Sequence, residues 1–95
     1  MPNDFPMVEV ASVKPLGGFR LRLRFSIGQE GVRDFTELVG RQGRMLEPLR
    51  DETYFQRVFI EAGVLTWPNG FDLDPINLYM QMRDEGLLAP ALAAE

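Results

Sequence analysis

The segment that most constrains the fold is residues 63–75, GVLTWPNGFDLDP. Its early residues are β-branched, aliphatic or aromatic, which are the types that suit a half-buried strand. Pro68 cannot donate to a strand ladder, and Asn69-Gly70 tolerates the positive φ angles of a tight turn. A short strand that ends in this turn is therefore predicted. Trp67 is the only tryptophan of the chain, and we expect it to anchor the core.

The same segment predicts the start of a helix. Asp74 suits the N-cap position, because its carboxylate can accept from the free amides of the first turn, and Pro75 has no N–H to leave unpaired. The helix is expected over 75–85, with Gly86 as the residue that ends it. The side predicted to face the core is formed by residues at helical spacing, namely Ile76, Tyr79, Met80 and Arg83.

Residues 19–25, FRLRLRF, form the clearest alternation in the chain. Apolar residues and arginines alternate, which is the pattern of a strand with one buried face and one solvent-exposed face. One interpretation is that Arg20, Arg22 and Arg24 only solvate the outer face, with their stems along the sheet. The other is a basic surface that meets an acidic partner or a phosphate backbone. The sequence leaves both open.

Two further strands are expected beside this one. A first strand over 8–13 and a loop over 14–18 precede it, and a turn over 26–29 leads to a returning strand over 30–35.

The register of the returning strand has two alternatives in the sequence. A two-residue loop at Ile27-Gly28 sets Arg22 opposite Arg33, which is a mildly unfavourable pair of like charges. A bulge that shifts the pairing by one sets Arg22 opposite Asp34 instead.

The middle of the chain carries shorter elements. Asp51 is a good N-cap for a helix over 52–58, whose first turn holds an acidic residue suited to the helix dipole. The other expected elements are one helical turn within 36–43, an irregular turn at 45–49, a strand that begins at 59–61, a turn at Ala62-Gly63 and a strand over 64–67.

The length of 95 residues fits a single domain. Residues 1–7 are expected to form a flexible lead-in and 8–86 the domain itself. Residues 87–95 are expected to form a tail, with docking on a neighbour as the alternative. The predicted fold class is α+β, with a small, curled, mostly antiparallel sheet of about five strands and two helices.

Composition argues against several classes of function. The chain has no cysteine and no histidine, so it lacks thiolate zinc sites, cysteine nucleophiles and the commonest general base. No apolar run is long enough to span a membrane, and a net charge of −4 disfavours nucleic acid as a direct partner. We therefore expect no catalytic residues, no cofactor, no membrane association and a cytoplasmic location.

Three residues near the Asn-Gly turn carry oxygen atoms that can bind a hard cation, namely Asn69, Asp72 and Asp74. A calcium loop of the EF-hand type needs more carboxylates and a later glutamate, which are missing. The turn accounts for Asn69 and the helix cap for Asp74, so no metal is expected.

Several blocks together resemble the small bacterial domain-of-unknown-function family 2442. The resemblance covers roughly residues 8 to 80, and its most specific part is Trp67-Pro68-Asn69-Gly70, followed by Asp74-Pro75. The other blocks are VKPL at 13–16, RLRLRF at 20–25, GVRDF at 31–35 and PLRD at 48–51. Departures, such as Ile27-Gly28 where members often have Asp-Gly, concern only a turn and packing.

The resemblance implies a small α+β domain with a mixed or antiparallel sheet and with no established catalytic residues. Members occur alone, fused to a helix-turn-helix segment, or encoded beside a small partner in an arrangement similar to toxin–antitoxin pairs. The residues after Gly86 are few and rich in alanine, so the chain looks like the stand-alone form.

These observations predict a non-enzymatic protein-interaction module whose partner is another small protein or a second copy. The candidate partner-binding residues are Arg20, Arg22, Arg24 and Arg33, and an exposed sheet edge or the apolar tail are further candidate surfaces. Two alternatives stay open. One is a regulatory domain that acts near nucleic acid through the arginines, and the other is a small-ligand pocket lined by Trp67, Phe71 and Tyr79.

Overall fold

The computed structural model describes residues 7–91. In this part of the chain the strands are β1 (Val10–Gly17), β2 (Arg20–Phe25), β3 (Gln29–Asp34), β4 (Phe59–Glu61), β5 (Val64–Thr66), β6 (Asp72–Leu73) and β7 (Ala89–Pro90). The helices are α1 (Thr36–Val39), α2 (Glu52–Phe55) and α3 (Pro75–Asp84), and a 3-10 turn covers Pro48–Arg50. Most of the predicted lead-in, residues 1–6, lies outside the described residues.

The strands form two antiparallel sheets. One has the order β1-β2-β3-β7, and the other has the order β4-β5-β6. The α+β class and the antiparallel pairing are confirmed, but the expectation of one sheet with about five strands and two helices is wrong. The sheets meet where the Val10 N–H donates to the Gly63 carbonyl oxygen at 2.9 Å. This contact joins the sheets without making them one ladder.

Strand β1 is longer than its sequence suggests. Residues 14–17, expected in a loop, continue the strand as far as Gly17, and the hairpin closes over Gly18-Phe19. The strand accommodates Pro15 because β1 lies at the edge of its sheet, where a missing N–H leaves no neighbour unpaired. Its register with β2 shifts just after Pro15, between Pro15 and Gly17.

The β2–β3 register matches neither sequence alternative. Arg22 lies opposite Val32, because the connection has three residues, 26–28, and not the two residues of the first alternative. Gly28 makes this possible with a φ of 88°, and its N–H donates to the Phe25 carbonyl oxygen at 3.0 Å. A left-handed glycine after a short turn is a usual way to close a three-residue hairpin loop.

The core lies between the two sheets and α3 and is centred on aromatic rings. Trp67 is fully buried, as predicted, and its Nε1–H donates to the Phe55 carbonyl oxygen at 2.9 Å. The Trp67 ring lies 5.5 Å from the Phe55 ring and 5.7 Å from the Phe71 ring. Phe55 belongs to α2, which is shorter than the predicted 52–58, although Asp51 caps it by accepting from the Thr53 N–H at 3.1 Å.

Helix α3 begins as predicted but turns a different side to the core. Its buried residues are Leu78 and Met82, not the set that starts at Ile76, and Arg83 is exposed. Of the predicted set only Tyr79 makes a described ring contact with the core, 5.5 Å from the Phe25 ring. On this side of the helix, Gln81, one residue before Met82, and Glu85, three residues after it, both accept hydrogen bonds from Arg33 of β3.

The segment after α3 docks on the four-stranded sheet. Gly86 ends the helix with a φ of 74°, and the Leu87 N–H donates to the Met82 carbonyl oxygen at 2.9 Å. Strand β7 then pairs with the start of β3, and the Ala91 N–H donates to the Gly28 carbonyl oxygen at 2.8 Å. The expectation of a tail is therefore wrong for residues 87–91, whereas 92–95 lie outside the described residues.

Candidate functional site

The alternation in β2 places its two kinds of side chain on opposite faces of the four-stranded sheet. Leu21, Leu23 and Phe25 are buried against the core. Arg20 and Arg22 are exposed on the outer face, and the Arg24 side chain keeps 38% of its surface accessible. The wet face predicted from the sequence therefore exists as one continuous surface.

Lys14 joins these arginines from β1. It lies directly opposite Arg22 in the antiparallel register, and both residues are exposed. We call the surface formed by Lys14, Arg20, Arg22 and Arg24 the basic sheet face. Among residues 7–91, neither Lys14 nor Arg22 forms an ion pair. Like charges directly opposite each other disfavour a strand pair, so this register places two cations side by side at the middle of the face.

The other two arginines lie opposite carboxylates of β3. Arg24 faces Glu30, with 3.8 Å between Nε and Oε1, and Arg20 faces Asp34. Thr36 donates to Asp34 from its hydroxyl at 2.6 Å and from its backbone N–H at 2.8 Å. These hydrogen bonds, with a smaller contribution from Arg20, lower the pKa of Asp34 below its ordinary value. The positive charge is thus concentrated at the centre of the face.

Arg33, the fourth candidate arginine, lies on the other side of the sheet. It stands opposite Leu21 in the register and turns toward α3. Its guanidinium donates to both carboxylate oxygens of Glu85, at 3.3 and 3.1 Å, and to the amide oxygen of Gln81 at 3.0 Å. Its carbon CZ also lies 5.4 Å from the centre of the Phe35 ring. Arg33 therefore holds α3 against β3 and does not extend the basic sheet face.

Sequence reasoning missed Lys14 because Pro15 and the following glycines indicated a loop. The signal that could have placed it is the spacing Ser12, Lys14, which continues the outward side of β1. That signal is weak, because edge strands tolerate proline but a proline does not by itself indicate an edge strand.

The signature residues around the Asn-Gly turn serve the fold. Asn69 accepts from the Phe71 N–H at 3.1 Å and donates to the Met45 carbonyl oxygen at 3.0 Å. Asp74 accepts from the Asn77 N–H at 2.9 Å, which is the predicted N-cap, and Pro75 opens the helix. Within residues 7–91 no group of three or more acidic side chains is placed to hold a metal ion.

A cleft of about 530 Å³ opens beside the end of β3, where Asp34 borders both this cleft and the basic sheet face. The end of β3 and α1 form one wall, and β6 and α3 form the other. Phe71 lines it, but the other two aromatics of the predicted pocket do not: Trp67 is fully buried, and Tyr79 packs on Phe25. The three aromatics expected to share a pocket therefore do not meet in this cleft. We call it the acidic cleft, because five of its lining residues are aspartate or glutamate and two are arginine.

A comparison with protein-family models decides the family. The model of the family described as "Protein of unknown function (DUF2442)" matches residues 10–84. The chain belongs to the DUF2442 family. No curated protein and no solved structure matches it.

The DUF2442 match covers the basic sheet face and nearly all of the acidic cleft. All four basic residues of the sheet face and every lining residue of the cleft except Glu85 fall within residues 10–84, whereas β7 lies beyond the match. No helix of the described residues is long and apolar enough to cross a membrane. The family description assigns no function.

Proposed function

We propose that this protein is a non-enzymatic protein-interaction module that binds an acidic surface of another small protein through the basic sheet face. The observation that carries the proposal is the pair Lys14 and Arg22, two exposed like charges in direct register on an open sheet. An acidic partner would relieve their repulsion, so binding gains a Coulomb term that the free protein lacks.

The neighbourhood of this pair suits a protein partner better than nucleic acid. The basic sheet face holds four cations, but Glu30 and Asp34 lie among them, and the chain as a whole carries −4. Binding to a phosphate backbone depends on clustered cations that each release a counterion. Alternating charges instead favour a partner with a matching pattern, which is how protein interfaces set register and reject wrong partners.

The proposed partner is a small protein encoded beside this one, which is the antitoxin-like arrangement that the family resemblance implies, with a cytoplasmic location for the pair. A non-enzymatic role agrees with the absence of cysteine and histidine from the chain, since these residues supply most nucleophiles and general bases.

The test is co-purification of the tagged protein with the products of its neighbouring genes, compared among three forms. The first is the wild type, and the second changes Arg20, Arg22 and Arg24 to glutamate. The third is a matched control that changes three arginines outside this face to glutamate, namely Arg44, Arg57 and Arg83. Both variants alter the net charge equally, so a difference between them reports position on the surface.

We expect the wild type and the control to retain one small protein in a fixed ratio, and the variant of the basic sheet face to lose it. Loss in both variants would mean that only net charge matters. Retention of DNA that falls steeply with salt, in place of a protein, would favour the nucleic-acid alternative. No retained protein in any form, with the chain running as a monomer on size exclusion, would contradict the proposal.

A further inference from the structure

The acidic cleft has an apolar floor. Leu38 of α1, Phe71 before β6 and Leu73 of β6 line it and are half-buried, whereas most of its charged lining residues are exposed; we call these three side chains the floor and the charged residues the rim. Binding sites are commonly lined by apolar side chains with a few polar groups, and about 530 Å³ lies within their usual range of volume. The floor offers hydrophobic contact but gives no information about charge.

The rim supplies the charge. Two of its ion pairs are internal: Arg33 with Glu85 at 3.1 Å, and Arg41 with Glu37 at 3.8 Å. They leave three carboxylates of the lining with no ion pair among the described residues, which are Asp34, Asp72 and Asp74. The cleft thus presents an excess of negative charge around apolar side chains, opposite in sign to the basic sheet face.

These carboxylates differ in how many hydrogen bonds they accept within the protein. Asp74 caps α3, and Asp34 accepts two hydrogen bonds from Thr36. Asp72 is exposed on β6, and no described side chain is bonded to it. The carboxylates are also not grouped as a metal-holding cluster within residues 7–91. Spread negative charge above an apolar floor fits a chain segment with several cations better than a single ion.

We infer that the acidic cleft binds a basic amphipathic segment of a partner protein, with leucine-like side chains on the floor and lysine or arginine at the rim. Lysine and arginine suit this position because their aliphatic stems can cover apolar surface while the charged ends reach the carboxylates. The exposed pair of Arg41 and Glu37 adds little stability, so a cation of the ligand can replace Arg41 at small cost. Laying an amphipathic segment into such a groove is a common mode of peptide recognition.

This inference goes beyond the proposed function, because it concerns a different surface and a partner of the opposite charge. The probe is a fluorescein-labelled synthetic helix of about 14 residues, built from leucine and lysine at helical spacing. Two peptides serve as controls: one with the same residues in scrambled order, and one with glutamate in place of lysine. Binding is measured by fluorescence anisotropy, and the site is located by amide chemical shifts in NMR spectra.

The test variant is Asp72→Lys, and its matched control is Glu61→Lys, which reverses an exposed charge on β4 at the far edge of the same sheet. We expect Asp72→Lys to weaken binding of the leucine-lysine helix about tenfold and Glu61→Lys to leave it within about twofold, since reversing a charge at the contact costs far more than reversing one elsewhere. The largest amide shifts should fall at Leu38, Asp72 and Asn77. The glutamate variant that disables the basic sheet face should still bind the peptide, which keeps the two proposals distinguishable.

Three outcomes would overturn the inference. The first is equal weakening by Asp72→Lys and Glu61→Lys, which would reduce the effect to net charge. The second is amide shifts outside the cleft, or equal binding of the scrambled or glutamate peptide. The third is no peptide binding together with self-association that Asp72→Lys abolishes, which would make a second copy of this chain the occupant.

Discussion

Ala62 is the non-glycine residue with a positive φ in residues 7–91, at 52°. It forms the turn between β4 and β5 with Gly63, whose φ is 82°. Two successive left-handed residues match the two-residue hairpin turn that favours asparagine at its first position. An alanine there retains a steric cost of about 1 kcal/mol, because its Cβ approaches the carbonyl oxygen in this conformation.

The first prediction is that Ala62→Asn stabilises the protein. Asparagine tolerates the left-handed region, so the free energy of unfolding should rise by about 0.5 kcal/mol. Urea denaturation followed by Trp67 fluorescence measures the change. Ala11→Asn is the control, since Ala11 is also exposed but lies in β1 without a positive φ. A gain of equal size in both variants would show that the turn geometry is not the cause.

Asp34 gives a second prediction at the residue scale, on pH. Hydrogen bonds from Thr36 lower the pKa of Asp34 from its ordinary 3.8, so the folded protein holds the charged form more tightly than the unfolded chain does. The stability that this adds is complete above the unfolded value and is lost as pH falls through the lower folded value. Asp34→Ala should therefore melt below the wild type at pH 6, with a difference that narrows on acidification toward pH 3.

Thermal melts of the wild type, Asp34→Ala and Thr36→Ala between pH 6 and pH 3 measure this effect. Thr36→Ala removes the hydroxyl donor, so it should show part of the difference and the same narrowing. A difference between Asp34→Ala and the wild type that stays constant over this range would contradict the assignment.

At the scale of elements, the docking of residues 87–91 depends on the absence of a side chain at Gly31. A Cβ added there would overlap the Leu87 carbonyl oxygen, which is backbone and cannot turn away, and would meet the Met82 methyl at 3.3 Å. The third prediction is that Gly31→Ala lowers the free energy of unfolding by about 1–3 kcal/mol, which is the usual cost of overpacking. In the Gly31→Ala variant, amide hydrogen exchange should become faster selectively at residues 87–91.

Gly40→Ala is the matched control for this prediction. Gly40 has a φ of −82°, and a Cβ there would lie at ordinary contact distances from the carbonyl oxygens of Thr36, at 3.5 Å, and Glu37, at 3.6 Å. The free energy of unfolding of the Gly40→Ala variant should stay within about 0.5 kcal/mol of the wild-type value. If Gly31→Ala behaves like Gly40→Ala, the segment after Gly86 does not pack as described.

Elements with local causes could be predicted from the sequence, and those with distant causes could not. Asp51, Asp74 and Gly86 specify helix ends through groups within a few residues of them, and all three act as expected. The side of α3 that faces the core depends on Arg33, about fifty positions away, and strand β7 depends on Gly31. The contacts that Arg33 makes with α3 and that Gly31 makes beside β7 cannot be recognised before the pairing of the strands is known.

The candidate site shows the same division. The alternation in β2 predicted the outward arginines, because period two is a local property of a strand. Lys14 belongs to the basic sheet face because the register of β1 places it opposite Arg22. Arg33 does not, because the three-residue turn puts it on the face opposite to the one that a two-residue turn would give it. The acidic cleft joins β3, α1, β6 and α3, so no continuous segment carries its signal.

At the scale of the whole molecule, the two surfaces have opposite charge. The basic sheet face lies on the outer side of the four-stranded sheet, and the acidic cleft lies where β3 and α1 meet β6 and α3. A module that uses both would hold an acidic surface and a basic segment at once, with long-range attraction to each that weakens with salt. Of these two surfaces, the basic sheet face is the one that we propose binds the partner protein.

The most direct test of that claim is the single variant Lys14→Glu, measured for both stability and partner binding. In the free protein it replaces a repulsive pair with an attractive one across β1 and β2, so the free energy of unfolding should rise by about 0.5 kcal/mol. The same change should remove retention of the co-purified small protein, because it places a negative charge at the centre of the proposed contact. Higher stability with lost retention is the predicted result, whereas full retention by Lys14→Glu would contradict the account.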